Sequence, residues 1–417
     1  GVTIVERRAD PRRANVYEGR SINLALSTRG LNALTQIGVT DVVVRGAVPM
    51  SGRRMHAVDG TRTYQPYGRS GQAILSVSRA ALNIALLDAA EHAGAMVLFD
   101  GRVVDVDVDA GAMTAEIAGG SPRHLSGDLV VGADGAFSAV RQRMMRHGRF
   151  DYAQTFLTHG YKELTMPRAA GGGFRMEADA LHIWPRRDYM MIALPNIDGT
   201  FTCTLFLAHD GDISFASLQS RAEIDAFFAA TFPDAFALIP DLAEQFVQNS
   251  IGDLAYIRCA PYHAGAHVVL VGDAAHAVVP FYGQGMNAAF ESCMLLDALL
   301  ESTGDETAAA IRDYSLRRKP DADAISDLAL ENFIEMRDRV ADPVFLRRKQ
   351  LERVLEWAFP ETVRSMYSMV TFSNTPYAES RATAQAQTRW LDRVEGEGGA
   401  EIVGLLAMAW VRSLLDA

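Results

Sequence analysis

The sequence predicts an α/β protein in which a layered, Rossmann-like domain is assembled from separate chain segments, with an inserted β-sheet domain and a C-terminal helical region. Strand and helix patterns alternate through the first third of the chain, two β-rich segments interrupt that alternation, and helical patterns dominate the last quarter. The 417 residues exceed what one compact core usually accommodates. We therefore expect two or three lobes that share contacts.

The first third shows the alternation in order. A β-branched strand at Val2–Val5 is followed by a helical pattern at Asn23–Ile37, in which leucines recur on one side. Ser78 is a suitable N-cap for a helix that runs to about His92, before Gly94. Strand patterns follow at residues 103–108 and 129–131, and the second of these is apolar throughout, as a buried parallel strand requires.

Glu6 ends the first strand. In a dinucleotide-binding βαβ unit, an acid at the end of the second strand binds the adenosine ribose about 20 residues after a glycine fingerprint. That spacing places the fingerprint before Gly1. We therefore expect either an ordinary edge strand or a nucleotide-binding unit whose first strand and Gly loop, about 25 residues, precede this sequence.

Two β-rich segments predict the inserted sheet. Asp59-Gly60 separates two strand-like runs, which is typical of a hairpin turn. Strand patterns at Tyr189–Leu194 and Phe201–Phe206 are joined by a polar turn. The predicted division is an α/β domain from residues 1–50, 72–150 and 260–310, a β-sheet domain from residues 51–71 and 151–259, and a helical region from residues 311–417, with a break near residues 371–376.

Composition excludes several classes of protein. Apolar residues make up 49% and charged residues 22%, so the chain can bury a large core. The net charge is −11 and no basic block carries interleaved aromatic residues, which argues against a nucleic-acid partner. The three cysteines, Cys203, Cys259 and Cys293, show no metal-ligand spacing and are expected to be reduced thiols in the cytoplasm. No apolar run is long enough to span a bilayer.

The strongest motif is a strand, Val268–Val271, that leads into Gly272-Asp273 and then a Gly-rich turn before a helix near Asn287. Ligands bind at the carboxyl ends of strands in such sheets. Asp273 is suited to bind hydroxyl groups of a sugar or ribityl chain, and the helix N-terminus at residues 283–287 to stabilise negative charge. The alternative is a tight turn that uses glycine only for its backbone angles.

A second turn, Asp134-Gly135, follows the buried strand at residues 129–131 and precedes a helix with Ser138 and Arg141. It suits a site where a pyrophosphate or nicotinamide group approaches the backbone, and the alternative is a simple turn with Ser138 as a helix cap. Asn332 interrupts an otherwise apolar helical stripe formed by Ile325, Leu328 and Met336. A buried amide requires hydrogen-bond partners, either in the core or in a ligand.

The Glu6, Asp134-Gly135 and Gly272-Asp273 motifs, in this order, resemble the signature of flavin-dependent aromatic hydroxylases. Within that group the sequence resembles the kynurenine 3-monooxygenase family from residue 1 to about residue 385. The strings that carry the resemblance are residues 19–27 (GRSINLALS), 65–69 (QPYGR), 159–164 (HGYKEL), 181–185 (LHIWP), 280–281 (PF), 283–287 (GQGMN) and 367–372 (YSMVTF).

The resemblance implies an enzyme that holds FAD non-covalently and uses NADPH as co-substrate. It further implies that O2 forms a flavin C4a-hydroperoxide and that one oxygen atom passes to L-kynurenine, giving 3-hydroxy-L-kynurenine. The flavin carries this chemistry, so no protein acid, base or metal is assigned, and His182 and His276 are interpreted as structural. Two alternatives stay open: a hydroxylase of a related aminoaryl acid, and a flavin-free binding protein on the same scaffold. The oligomeric state, monomer or homodimer, is also open.

The resemblance also implies a substrate site. Arg53 would bind the carboxylate, in a hairpin beside Tyr67, with Asn332 and Tyr367 as the other carboxylate contacts. The aromatic ring would lie among apolar side chains, namely Leu181, Met190, Ile192, Leu194, Phe206, Pro280, Phe281 and Met336. Residues 190, 192 and 194 share one face of a strand, as a pocket wall requires and as a core stripe would equally.

Flavin contacts are implied as well. They are Glu6, Arg8, Arg79, Asp134, Asp273 and the segment formed by Gly283, Gln284, Gly285, Met286 and Asn287. Position 282 is Tyr in this sequence. The family that the sequence resembles has His or Phe there, so the resemblance does not define the shape of the flavin-side wall.

Overall fold

The computed structural model describes residues 1–13, 23–68, 71–304, 306–335 and 343–396. Met336 and residues 397–417 of the predicted helical region lie outside these ranges. The strands are β1 (Thr3–Val5), β2 (Asn23–Leu26), β3 (Val48–Met50), β4 (Gly52–His56), β5 (Arg62–Pro66), β6 (Ile74–Ser78), β7 (Met96–Leu98), β8 (Gly101–Asp107), β9 (Ala112–Ile117), β10 (Arg123–Ser126), β11 (Val130–Gly132), β12 (Asp151–Met166), β13 (Ala180–Arg186), β14 (Tyr189–Pro195), β15 (Phe201–Ala208), β16 (Gly252–Ala260), β17 (His263–Ala264) and β18 (Val268–Leu270).

Helices alternate with these strands and then dominate the C-terminal part. They are α1 (Thr28–Gln36), α2 (Thr40–Arg45), α3 (Arg79–His92), α4 (Ala139–Met144), α5 (Arg221–Thr231), α6 (Pro233–Phe236), α7 (Leu242–Gln248), α8 (Asp273–His276), α9 (Gly285–Thr303), α10 (Thr307–Ile334), α11 (Pro343–Ala358), α12 (Met366–Phe372) and α13 (Tyr377–Gly396), with a short 3-10 helix at Pro280–Tyr282. Among these, no helix combines the length and apolar character needed to cross a bilayer.

The layered part of the fold contains parallel strand pairs. β1 pairs with β7, and β11 pairs with β18, both in parallel. β18 is fully buried and packs with α4, α9 and α10 around Leu270, Leu296 and Ile311. The predicted α/β class is confirmed, and the two acidic turns follow β11 and β18, two neighbouring strands of one sheet.

A seven-stranded sheet with the order β16-β12-β15-β14-β13-β4-β5 forms the second layer. It draws strands from both β-rich segments, as expected, because β4 pairs in parallel with β13 and antiparallel with β5. One face packs under α5, α6 and α7, where Trp184, Phe201 and Phe228 are buried. The opposite face is directed toward the 3-10 helix and α10. The three covering helices were not predicted from the sequence.

The predicted helix at Asn23–Ile37 is wrong over its first five residues. Residues 23–26 form β2, which pairs antiparallel with β6, and α1 begins only at Thr28. Asn23 is buried and its Nδ2 donates to Ser76 Oγ at 2.9 Å and to the Pro195 carbonyl at 3.0 Å. These contacts with distant segments outweigh the local helical pattern.

Candidate active site

Arg53 lies on β4 on the sheet face away from α5, α6 and α7. Its guanidinium carbon is 4.6 Å from the Tyr367 ring centroid and 5.5 Å from that of Tyr67, and the two rings stack at 5.3 Å. The Nε of Arg53 is buried without a hydrogen-bond partner in the described structure, while the hydroxyls of Tyr67 and Tyr367 interact with other nitrogen atoms of the guanidinium. A buried donor without a partner is costly, so this arrangement favours an anionic ligand.

The tyrosine hydroxyls stay protonated around this charge. Burial raises the pKa of Tyr67 well above its usual value, and Arg53 opposes that rise. Burial also raises the pKa of Tyr367, again against the effect of Arg53. Neutral phenols beside a guanidinium leave the positive charge available for a carboxylate.

Apolar residues continue the same sheet face. The strand registers place Leu181 beside Arg53, Met190 beside Phe206, and Ile192 between them on β14. Two clusters cover this face and share Ile192: one contains Met190, Phe206 and Phe281, and the other contains Leu181, Leu194, Tyr67 and Tyr367. The structure therefore brings together six of the eight predicted apolar pocket residues. Pro280 is solvent-exposed at the start of the 3-10 helix, next to Phe281, and Met336 lies outside the described residues.

Asn332 lies in the last turn of α10, close to this pocket. Its Nδ2 donates to the Phe281 carbonyl at 2.7 Å. The amide thus fixes the 3-10 helix that forms one wall, a core hydrogen bond of the kind expected for an amide in an apolar stripe. Its expected contact with a substrate carboxylate remains a prediction.

Three further residues belong to this neighbourhood and were not assigned from the sequence. The Tyr282 ring stacks on Tyr367 at 6.1 Å, and the Phe333 ring stacks on Phe281 at 4.3 Å. Arg353 of α11 donates to Gln65 Oε1 at 3.3 Å, and Gln65 is the strand partner of Arg53. Only tertiary packing places α11 here, although the neighbouring positions 281 and 332 were a local signal for Tyr282 and Phe333.

Asp273 is the first residue of α8 and is exposed to solvent. The surrounding protein raises the pKa of its carboxyl group, and Arg79, at the start of α3, lowers it. None of the described residues donates a hydrogen bond to this carboxylate. The carboxylate is therefore open to hydroxyl donors from a ligand, which fits a ribityl chain.

The turn from Gly283 to Asn287 leads into α9. Gly283 has a left-handed φ of 67°, and a Cβ there would lie 3.3 Å from the Cβ of Ala25, so glycine is required. Asn287 uses its side chain internally: Oδ1 accepts from Ser27 N at 3.0 Å, and Nδ2 donates to the carbonyls of Ala25 and Gly283. The first backbone N–H groups of α9 keep their capacity to stabilise an anionic or carbonyl oxygen.

The other predicted flavin contacts do not lie together in one cluster. Asp134 Oδ2 accepts from Ala139 N at 2.6 Å and from Val140 N at 3.2 Å, which caps α4. Ser138 is also a cap, as in the alternative interpretation of this turn. Glu6 accepts from Arg8 N at 2.9 Å, and Arg8 is exposed. Their part in cofactor binding remains a prediction.

Arg141 connects the two acidic turns. It is 2% exposed, and its guanidinium donates to the Ala274 and Ala136 carbonyls, each at 2.6 Å. It therefore holds the turn after β11 against the turn after β18. Its guanidinium also donates to the Tyr152 hydroxyl, at 3.5 Å.

The two histidines are in structural positions. His276 is buried, and its Nε2 forms a hydrogen bond with Ser292 Oγ at 2.9 Å. Burial lowers the pKa of His276 to about 3. His182 hydrogen-bonds His56 at 2.8 Å on the opposite face of the sheet, and burial lowers its pKa to about 4. Both are neutral at pH 7, and neither faces the pocket around Arg53.

Residues 1–329 match a family model described as an FAD binding domain. A protein of Myxococcus xanthus named kynurenine 3-monooxygenase is 51% identical over 379 residues, which cover 90% of this chain and 82% of that protein. A protein of Stenotrophomonas maltophilia with the same name is 48% identical over 388 residues, covering 93% of this chain and 85% of that protein.

This chain belongs to the kynurenine 3-monooxygenase family.

Solved structures support the fold. A tetrameric form of 2-methyl-3-hydroxypyridine-5-carboxylic acid oxygenase superposes with a TM-score of 0.66 at 20% identity, covering 84% of this chain and 89% of that one. The P. aeruginosa protein PqsL, in complex with 2-aminobenzoylacetate, gives a TM-score of 0.65 at 20% identity, covering 81% of this chain and 90% of that one. Membership in the kynurenine 3-monooxygenase family thus agrees with the observed architecture.

Proposed function

We propose that this chain hydroxylates L-kynurenine to 3-hydroxy-L-kynurenine, with FAD as non-covalent cofactor and NADPH and O2 as co-substrates. The family membership supports the activity, and the pocket around Arg53 supports the substrate. Kynurenine has an amino-acid headgroup with a carboxylate and an aromatic ring with an amino group. The pocket has a cationic part at Arg53, which matches the carboxylate, and an apolar part, which matches the ring.

The observation that carries this proposal is the buried, unpaired Nε of Arg53 between Tyr67 and Tyr367. A carboxylate at this point would accept hydrogen bonds from the guanidinium and from the Tyr67 hydroxyl. Charge-assisted hydrogen bonds of this kind are stronger than neutral ones. The headgroup would then fix which end of the substrate enters the apolar part of the pocket.

The FAD would be held by Asp273, with Arg79 close by, and by the backbone at residues 283–287. When bound, FAD supplies electron transfer from NADPH and the activation of O2. Asp273 is suited to accept hydrogen bonds from the ribityl chain, and the N-terminus of α9 to stabilise negative charge on the flavin ring. These assignments leave no step that requires a protein nucleophile.

The apolar residues orient the ring and exclude water. Met190, Ile192 and Leu194 form one wall and Phe281 faces them from the 3-10 helix. Oxygen transfer to a ring carbon requires close alignment of the two reacting groups. Water at the same point favours release of hydrogen peroxide, so a closed apolar pocket favours hydroxylation.

The division into domains follows the same scheme. Residues 1–50, 72–150 and 260–310 would form the FAD domain, residues 51–71 and 151–259 the substrate domain, and residues 311–417 the helical region that closes the pocket. The seven-stranded sheet supports this scheme, because its strands come from residues 52–66 and 151–260. We also propose a cytoplasmic location, consistent with the three free cysteines.

A substrate panel tests the proposal. NADPH oxidation and product formation are measured with kynurenine, anthranilate and methylated kynurenines, using the full chain loaded with FAD. We expect kynurenine to give the highest kcat/KM and 3-hydroxykynurenine as the product. Preference for another aminoaryl acid would assign the enzyme to that acid instead. A protein that takes up no flavin would contradict the enzymatic function altogether.

A further inference from the structure

The ring of Tyr377 is buried between two arginines, at the start of α13. Its hydroxyl donates to Gln284 Oε1 at 3.0 Å, in the turn before α9. The guanidinium carbon of Arg29 is 3.9 Å from the ring centroid and that of Arg318 is 5.8 Å from it. Tyr377 is 0% exposed and Gln284 is 2% exposed, so both polar groups depend on this hydrogen bond.

Arg29 connects this ring to the helix that carries Tyr367. Its Nε donates to the Val370 carbonyl at 2.9 Å, and its Nη2 donates to the Met369 carbonyl at 3.4 Å. Both carbonyls belong to α12, within one turn of Tyr367. A guanidinium at the C-terminal end of a helix satisfies its last carbonyls and stabilises the helix dipole. Arg29 therefore fixes the position of α12.

Glu291 connects the same arginines to α9. Its Oε1 is 2.5 Å from Arg29 Nη1, and its Oε2 is 2.8 Å from Arg318 Nη1. Arg318 also donates to the Ala288 carbonyl at 2.7 Å, in the first turns of α9. The two arginine side chains are almost fully buried, so solvent and salt weaken these ion pairs little. The first turns of α9 and the end of α12 are held in one network.

We propose that Tyr377 is a positioning residue that sets the placement of the flavin-side turn, residues 283–287, relative to the substrate carboxylate site at Tyr367. This inference rests on the proposed function. The Tyr377 hydroxyl holds Gln284 in that turn, and its ring packs on Arg29, which holds α12. Because oxygen transfer tolerates little misalignment, a shift of either end would reduce transfer to the ring more than it reduces binding.

The test is Tyr377→Phe, which removes the hydroxyl and keeps the ring between the arginines. The moles of 3-hydroxykynurenine formed per mole of NADPH oxidised are measured, together with hydrogen peroxide and the KM for kynurenine. In the uncoupled reaction, two electrons from NADPH reduce O2 to hydrogen peroxide and no oxygen reaches the substrate. We expect the hydroxylation yield to fall roughly threefold or more, peroxide to rise, and KM and flavin content to stay within about twofold.

Two further variants keep the proposal falsifiable. Tyr314→Phe is the matched control, because Tyr314 is also fully buried but its ring packs against Tyr262, in the core around β18. It should keep the wild-type yield. Gln284→Met removes the other end of the bond, and it should lower the yield even if Tyr377→Phe does not fold; the double variant should be no worse than the poorer single variant.

A Tyr377→Phe protein with the wild-type yield would overturn the inference, even if its melting temperature fell, because the residue would then be purely structural. If Tyr377→Phe does not fold, a wild-type yield in Gln284→Met overturns it instead. Failure of the wild-type enzyme to hydroxylate kynurenine would be a different result. It would contradict the proposed function before any variant is compared.

Discussion

Arg53 is enclosed by two tyrosine rings, and none of the described acidic residues forms an ion pair with it. We expect Arg53→Ala to raise the KM for kynurenine by about 10- to 100-fold, since a hydrogen bond to a charged group contributes roughly 1.5–3 kcal/mol. Flavin content should not change. The measurement is substrate-dependent NADPH oxidation, with flavin absorbance recorded on the same sample.

Arg54→Ala is the matched control for that substitution. Arg54 is the next residue on β4, points to the opposite face, and lies 3.6 Å from Glu177. Its loss should leave KM within about twofold of wild type, since Arg54 does not face the proposed substrate site and a partly exposed ion pair contributes little. An unchanged KM in Arg53→Ala would show that the carboxylate binds elsewhere.

Arg353 adds a second positive charge beside Arg53. Burial and the charge of Arg53 both lower its pKa, and its guanidinium donates a hydrogen bond to Gln65. We expect Arg353→Gln to raise the KM for kynurenine roughly fivefold with little change in kcat, because a nearby cation contributes about 1 kcal/mol at a partly exposed site. Gln65→Leu breaks the same hydrogen bond but keeps the charge, so an equal effect of both variants would rule out a role for the charge.

Asp273 is proposed to have a different role, in holding the cofactor. Asp273→Ala should yield protein that is purified with little flavin. The substitution removes the carboxylate that we propose binds the ribityl hydroxyls. The visible absorbance of purified protein measures this directly. Asp210→Ala, in an exposed loop, serves as control. A fully yellow Asp273→Ala protein would be inconsistent with this assignment.

At the scale of elements, the two faces of the seven-stranded sheet follow from the two-residue period of a strand. This period correctly placed Met190, Ile192 and Leu194 on one face. It did not reveal which face was the pocket, because Met191 and Ala193 on the other face are equally apolar and pack against α5, α6 and α7. Only the resemblance to the family distinguished the two faces.

Short elements were harder to predict than long ones. β2 has four residues, which is too short to establish a period, and it is a strand because β6 supplies its hydrogen bonds. Helix was predicted from about residue 308 onward with one break near residues 371–376; α10 and the break between α12 and α13 confirm this, whereas the non-helical segment at residues 359–365, between α11 and α12, was not predicted. Local signals suffice where an element is long, whereas contacts between distant segments decide the rest.

A buried hydrogen-bonded chain links β4, β13 and α6. His56 Nδ1 lies 2.6 Å from Asp234, and His56 Nε2 lies 2.8 Å from His182, whose own Nε2 lies 2.7 Å from the Glu177 carbonyl. Burial lowers the pKa of His182 from 6.5 to about 4. The folded protein therefore keeps His182 neutral at pH values where the unfolded chain protonates it.

Stability should fall as the pH drops through this window. Below pH 6.5 His182 is protonated in the unfolded state, whereas in the folded state it stays neutral down to about pH 4. The free energy of unfolding should therefore fall by about 3 kcal/mol between pH 6.5 and pH 4 because of this group. Urea unfolding at several pH values measures the slope. His182→Gln should reduce the slope relative to wild type, and an identical slope in both proteins would exclude His182 as its source.

At the scale of the whole molecule, the pocket is assembled from segments that are far apart in sequence. Arg53, Leu194, Phe281 and Tyr367 come from β4, β14, the 3-10 helix and α12. Periodicity and spacing do not predict such long-range proximity. The family resemblance did identify these residues. It did not identify the network of Arg29, Glu291, Arg318 and Tyr377, because these four residues lie outside the motifs that carry the resemblance.

The central claim is that this chain transfers one oxygen atom from O2 to kynurenine. The most direct measurement is a single reaction with purified holoenzyme, NADPH, kynurenine and isotopically labelled O2, followed by mass spectrometry of the product. We expect 3-hydroxykynurenine that carries one labelled oxygen atom, formed in proportion to the NADPH oxidised. NADPH oxidation that yields only hydrogen peroxide, or a product oxygen that comes from water, would contradict the claim.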